Sequence, residues 1–313
     1  MYQLKTFIGV TDNNWFNFLS SIPDIDEVNF WQPSGSSVFR ALNPGEPFLF
    51  KLHSPLNYIV GGGFFAHSTI LPISLAWEAF GVKNGAISLI EIRRRLEKYR
   101  RIPSTAYEDY QVGCILLEQP FFFKRDEWIP VPSDWKLNIV RGKTYDLTVG
   151  LGKELWDVVK IQLQARIDYK EKTLPVTEKD RSYGKPTIVM PRLGQGSFRV
   201  LVTDTYNRRC AVTQERTLPA LEAAHIKPYG ENGPHCIDNG LLLRSDIHKL
   251  FDAGYVTVTE NHRFEVSRRI REEFENGRDY YAMNGKELYV PRKNEFMPSK
   301  EFIYWHNENI YRG

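Results

Sequence analysis

The chain has 313 residues, too many for one typical compact core, so its length favours two domains. Hydrophobic residues are 42% and charged residues 25%, which excludes a chain disordered throughout. With 41 Lys and Arg against 38 Asp and Glu the formal charge is only +3, so any affinity for polyanions must come from local patches. Two exist: RRRLEKYRR at 93–101, and the stretch 181–230, with eight basic residues against three acidic ones. Cys114, Cys210 and Cys236 form no CxxC pair and no even framework. This predicts thiols rather than disulfides, a reducing cytoplasmic compartment and no structural zinc. The chain shows no basic leader with a long apolar core and no apolar window of ~18 residues, so neither export nor a membrane partner is expected.

In chain order, LKTFIGV, EPFLFKLHS, NYIVGGGFFAHS and QVGCILLEQPFFF each alternate or run apolar over a strand's length, with turn signals such as LNPGEP between them. Two helical patterns interrupt them, PISLAWEAFG and SLIEIRRRLEKYRRI, the second with Leu89, Ile92 and Leu96 at helical spacing. Residues 1–150 thus read as an α+β module on a curved sheet. The charged stretch 151–190 is taken as a linker holding a helix or a strand. A second domain, 191–313, opens with a helical stripe of Phe198, Leu201, Val202 and Tyr206. It continues as a strand LEAAHI, a loop KPYGENGPHCID, a strand NGLLL and a short helix SDIHKLFDAG, with Ser245 as expected N-cap and Gly254 as terminator.

Residues 223–255, AAHIKPYGENGPHCIDNGLLLRSDIHKLFDAGY, hold three of the seven histidines. Hydrolysing a phosphodiester requires a base to activate water and a cation to carry the charge that builds on phosphate and leaving oxygen. His225 at a strand end suits the first task. His248 and Asp252, four apart on a helix, point from one face and suit a shared divalent ion. Asn239 heads the second strand, where its amide can pin the long loop. A lone histidine near an apolar strand is ordinarily structural; here the joint pattern and its strand and helix context carry the reading. His235, in the loop, is expected to be solvated.

These residues resemble the HNH (ββα-metal) endonucleases over about 65 residues, with "RRCAVT" and "FDAGY" similar to the flanks of a bacterial branch. The resemblance implies His225 as general base, Asn239 as clamp and His248 as metal ligand. The sequence departs from it at Ala224, where many members carry Asp or His as a ligand. Three readings stand: Asp252 substitutes as ligand, or phosphate and water complete a smaller protein shell, or His225 itself ligates. Oxygen donors beside one imidazole favour Mg²⁺ or Mn²⁺. Arg244 and Lys249 flank the helix as candidate phosphate contacts, alongside Arg93, Arg94 and Lys98 of the basic run, which also holds Arg95, Arg100 and Arg101.

The segment NFWQPSGSSVFRALNPGEPFLFKLHSPLNYIVGGGFFAHS (29–68) resembles EVE-type domains of the PUA-like superfamily, which hold one flipped, modified base between aromatic walls. On that resemblance Trp31 is the expected stacking residue, and Asp12, Asn13 and Ser36 are the expected readers of the base edge. Together the two resemblances imply a type IV-like, modification-dependent restriction endonuclease of the EVE-HNH kind, acting in phage defence. Its partner would be double-stranded DNA carrying 5-methyl- or 5-hydroxymethylcytosine, cut by a homodimer. Two rivals stay open: a modified-DNA reader that has lost catalysis, and a nuclease acting on unmodified nucleic acid.

Overall fold

A computed structural model describes residues 4–100, 108–136, 138–173 and 193–313. Arg101 and the stretch 174–190 lie outside the described residues. The chain divides into two compact units, residues 1–191 and 192–313, and the α+β architecture expected from the sequence is found in both.

The first unit contains β1 (Lys5–Thr11), α1 (Asn13–Leu19), β2 (Glu27–Gln32), β3 (Pro47–Leu52), β4 (Tyr58–Pro72), α2 (Ile73–Phe80), α3 (Leu89–Glu97), β5 (Gln111–Phe122), β6 (Ile129–Pro130), β7 (Gly142–Asp146) and α4 (Gly150–Thr173). One mixed sheet runs β2-β5-β4-β3-β1-β7, with β6 paired to β4. The β1–β3 pairing is parallel and the other pairings are antiparallel. Register breaks at Phe50/Lys51, Gly62/Phe64 and Phe65/His67 place bulges on β4, at Val60 and Ala66, and on β5, at residues 119–120. Bulges bend a strand and raise its twist, which gives the sheet its curvature. Gly61 lies at φ +156°, and a Cβ there would sit 2.2 Å from the carbonyl oxygen of Phe121, so the GGG run serves the close approach of β4 and β5. Ile8, Leu49 and Ile59 lie fully buried in the core beside the sheet.

The expected linker does not begin at residue 151. Leu155 and Val159 of α4 are buried against Ile8, Leu49 and Tyr145, and Leu151 packs at the edge of the same cluster. Spaced by four, these residues make one apolar stripe, and burying each gains about 1.5–3 kcal/mol. The basic run is likewise only partly a solvated face. Arg95 is buried and bonds the carbonyl of Gly85 and the carboxylate of Glu91, whereas Arg94 and Lys98 are exposed.

The second unit contains α5 (Gln195–Thr205), β8 (Leu221–His225), β9 (Gly240–Arg244), α6 (Ser245–Asp252), β10 (Val256–Val258), β11 (Phe264–Val266), α7 (Arg269–Phe274), α8 (Arg278–Tyr281) and α9 (Lys300–Asn309). Strands β8 and β9 pair antiparallel from Leu221↔Arg244 to His225↔Gly240. Phe198, Val202 and Tyr206 bury the inner stripe of α5 against them, while Leu201 is only half-buried. Ser245 is not the N-cap of α6. Arg244 holds that position without a side-chain bond, and the Ser245 hydroxyl donates to the Ala220 carbonyl, tying the helix start to the entry of β8. Gly254 follows the helix at φ +77°, as a terminator should. Among the described residues, no helix is long and apolar enough to cross a membrane.

Candidate active site

In the second unit the candidate groups come from β8, the loop that follows it and α6. On α6, Ile247 and Phe251 are buried and fix the helix by its apolar side. That leaves His248 and Asp252, one turn apart, at the adjoining partly exposed face. The Nε2 of His248 lies 3.3 Å from Oδ2 of Asp252. Two ligands at right angles on a cation with bonds of about 2.1 Å stand about 3 Å apart, so this nitrogen and oxygen fit one small oxygen-preferring ion. The other ring nitrogen, Nδ1, lies 2.7 Å from Oε2 of Glu222 on β8. A carboxylate accepting Nδ1–H fixes the tautomer and leaves the Nε2 lone pair facing Asp252. Glu222 and Asp252 therefore sit at opposite nitrogens of one imidazole and do not share an ion. Accordingly, among the described residues no group of three His, Cys, Asp or Glu side chains forms a ready metal cage. Glu222 was missed in the sequence.

His225 ends β8. Its ring lies on Phe198, centroids 3.9 Å apart and planes 12° from parallel. Burial pushes its pKa down to about 4, and the neighbouring His235 and His248 push the same way. Neutral imidazole is thus the resting form at pH 7. Ala224, at the departure from the family pattern, is fully buried in the apolar core.

Asn239 is fully buried and closes the loop between the strands. Its Oδ1 accepts from Lys227 N–H at 2.9 Å, and its Nδ2 donates to the carbonyls of Lys227 and Pro234, each at 2.9 Å. Both ends of the loop are held by one amide. The expectation that His235 is solvated fails: its Nδ1 lies 2.8 Å from Nε2 of His225, and its ring stacks on Tyr229 at 4.5 Å and 8°. Arg244 is not free for a phosphate either, because it forms a two-pronged pair with Asp246 at 2.6 and 2.7 Å. Lys249 is exposed.

The first unit holds a cleft of about 980 Å³ lined by Asp12, Trp31, Ser36, His53, Tyr99 and Tyr110 among others. Trp31 is 8% exposed and its indole N–H donates to the Asn84 carbonyl, so the ring is fixed in the wall, 6.2 Å from Tyr99. Tyr99 stacks with His53 at 6.1 Å and 8°, and its hydroxyl donates to Asp12. Asp12 also caps α1 by accepting from Trp15 N–H. Asn13 is not among the lining residues; its Oδ1 accepts from His53 N–H. Arg93 bonds the Glu108 carbonyl and lies over the Tyr110 ring, so of the three basic residues chosen on α3 and its C-cap, Arg94 and Lys98 are the exposed ones. The sequence reading missed Tyr99 and His53.

Residues 210–259 match the HNH_2 family, described as HNH endonuclease, and this match spans β8, the loop, β9, α6 and β10. The second unit therefore contains an HNH endonuclease domain, a class of nuclease that works with a divalent metal. No curated protein matches the chain. Among solved structures, ASCH from Zymomonas mobilis is similar over 49% of this chain and 94% of its own at 9% identity, with a TM-score of 0.33. The modification-dependent TagI restriction endonuclease is similar over 97% of this chain and 81% of its own at 12% identity, with a TM-score of 0.27.

Proposed function

We propose that this chain is a modification-dependent DNA endonuclease. Its first unit takes up a flipped 5-methyl- or 5-hydroxymethylcytosine, and its second unit hydrolyses a phosphodiester nearby. The observation that supports the hydrolysis is a His225 at the end of β8 that feels the charge of His248, with His248 and Asp252 one turn apart on α6 and Asn239 locking the loop between the strands. His225 takes the proton of the attacking water. His248 and Asp252 are the residues that would hold the metal, Mg²⁺ or Mn²⁺ by their donor types, and Glu222 orients His248. A divalent ion bound there supplies Lewis-acid stabilisation of charge on the phosphate and the leaving oxygen. A phosphate arriving opposite His225 favours imidazolium and so raises the basicity that burial has suppressed.

For the first unit, the support is the aromatic cleft. Trp31 and Tyr99 offer stacking faces, and Asp12 and Ser36 offer polar groups for a base edge. Extruding a base costs a few kcal/mol, returned by stacking and edge bonds in such a pocket. Exposed Arg94 on α3, Lys98 at its C-cap and Lys249 on α6 suit phosphate contacts, while Arg244 serves as the partner of Asp246. Cutting both strands needs two catalytic domains, so the acting form is a homodimer. The setting is cytoplasmic restriction of modified foreign DNA.

The test is cleavage of matched duplexes that differ only in 5-methyl- or 5-hydroxymethylcytosine, with Mg²⁺ or Mn²⁺, by the wild type and Trp31→Ala. Cutting confined to a modified duplex and lost in the variant supports the proposal. Equal cutting of all duplexes assigns an unmodified substrate, and binding without strand breaks assigns a reader.

A further inference from the structure

The loop between β8 and β9 carries a second imidazole that the roles above leave unused. Resting on the reading of His225 as the base, we infer that His235 is its positioning residue, accepting the Nε2–H of His225 at its own Nδ1 so that the Nδ1 lone pair of His225 faces the attacking water.

The argument is geometric. The 2.8 Å contact joins Nε2 of His225 to Nδ1 of His235, and a hydrogen bond between two ring nitrogens needs one N–H and one lone pair. Were His235 the donor, it would occupy the single lone pair of a neutral His225 and turn its N–H outward, which leaves no base. The opposite direction gives the arrangement general bases commonly use: an acceptor behind the ring holds the back N–H and frees the front nitrogen. His235 is built for this. Its ring is stacked on Tyr229, and the residue before it, Pro234, is fixed through its carbonyl by Nδ2 of Asn239. Asn239 thus acts on the base through His235. Phe198 fixes the plane of the His225 ring and His235 fixes its rotation within that plane.

In the reaction, the water proton passes to Nδ1 of His225 while the water oxygen bonds to phosphorus. The P–O bond to the leaving group breaks with its electron pair, and the leaving oxygen takes a proton from solvent. The imidazolium so formed keeps its Nε2–H on His235, a bond that strengthens with the positive charge.

The inference is tested in the full chain by ¹⁵N spectra of histidine-labelled, metal-free protein near pH 7, joined to kcat and KM on a 5-hydroxymethylcytosine duplex with Mn²⁺. The result expected is His225 protonated on Nε2 in the wild type, and a mixture of tautomers in His235→Ala. That variant should lower kcat about tenfold or more with KM unchanged. His235→Gln, whose amide oxygen can accept the same N–H, should recover most of the rate; thermal melts confirm that both variants fold. His225 protonated on Nδ1, or His235→Ala turning over at the wild-type kcat, overturns the inference. A separate His225→Ala control that still cuts at the wild-type rate removes the base reading itself and the inference with it, so the two failures are told apart.

Discussion

Asn239 is where fold and chemistry meet, and its replacement has a calculable cost. Truncation to Ala removes three hydrogen bonds of 2.9 Å from a fully buried side chain. At about 1 kcal/mol net for each bond the loss is about 3 kcal/mol, before any cost of backbone groups left unsatisfied. Asn239→Asp separates the bonds by direction. The carboxylate still accepts from Lys227 N–H, but it faces the carbonyls of Lys227 and Pro234 with lone pairs. Two bonds are therefore lost and a buried negative charge is added, making Asp worse than Ala near neutral pH. In acid the protonated carboxyl donates one bond and part of the stability returns. Urea unfolding of the two variants at pH 5 and pH 7, followed by a signal from the second unit, measures this. A loss below about 1 kcal/mol for Asn239→Ala, or no dependence on pH for Asn239→Asp, would refute the clamp.

Three further outcomes are expected. Glu118, buried opposite Glu27 in the β2–β5 register, is pushed up to about 8 by burial and by Glu27 and Asp26, while Lys83 pairs with those two. Its folded value exceeds its unfolded one, so wild-type stability falls as pH rises from about 4.5 to about 8 and then levels. Glu118→Gln should be up to about 3 kcal/mol more stable at pH 7 and unchanged near pH 4, read from denaturation midpoints. Leu155→Ala should cost about 2–5 kcal/mol in the first unit, seen as a lower urea midpoint, because α4 belongs to that core. The acid limb of kcat/KM should fall near pH 4 rather than near 6.5, since His225 is neutral above about 4 in the free protein. A limb near 6.5 would show that burial does not hold His225 down as argued, or that the base is another group.

What could be read in the sequence was whatever local spacing encodes. The β8, loop, β9 and α6 order, the Asn239 clamp and the His248–Asp252 pair all follow from strand alternation, turn chemistry and one helical turn. Glu222 did not emerge because its contact with His248 spans 26 residues and depends on how α6 docks on β8. His235 was misjudged for a related reason: loop histidines are ordinarily at the surface, and the Asn239 side-chain bond to the Pro234 carbonyl together with the Tyr229 stack holds this one against His225. The charged composition of 151–190 hid the stripe of Leu151, Leu155 and Val159, whose spacing of four was visible. In the first unit Trp31 was recognisable as an aromatic beside a polar turn. Tyr99 and His53 join the cleft only through packing between distant elements.

The central claim, that His225 is the base of a metal-dependent phosphodiesterase, is tested most directly by single-turnover strand cleavage with wild type and His225→Ala under saturating Mn²⁺ and modified duplex. Mn²⁺ and DNA binding are measured on the same samples. The expected result is unchanged binding of both and a cleavage rate lowered about 100-fold or more. Cleavage by His225→Ala at the wild-type rate would contradict the account.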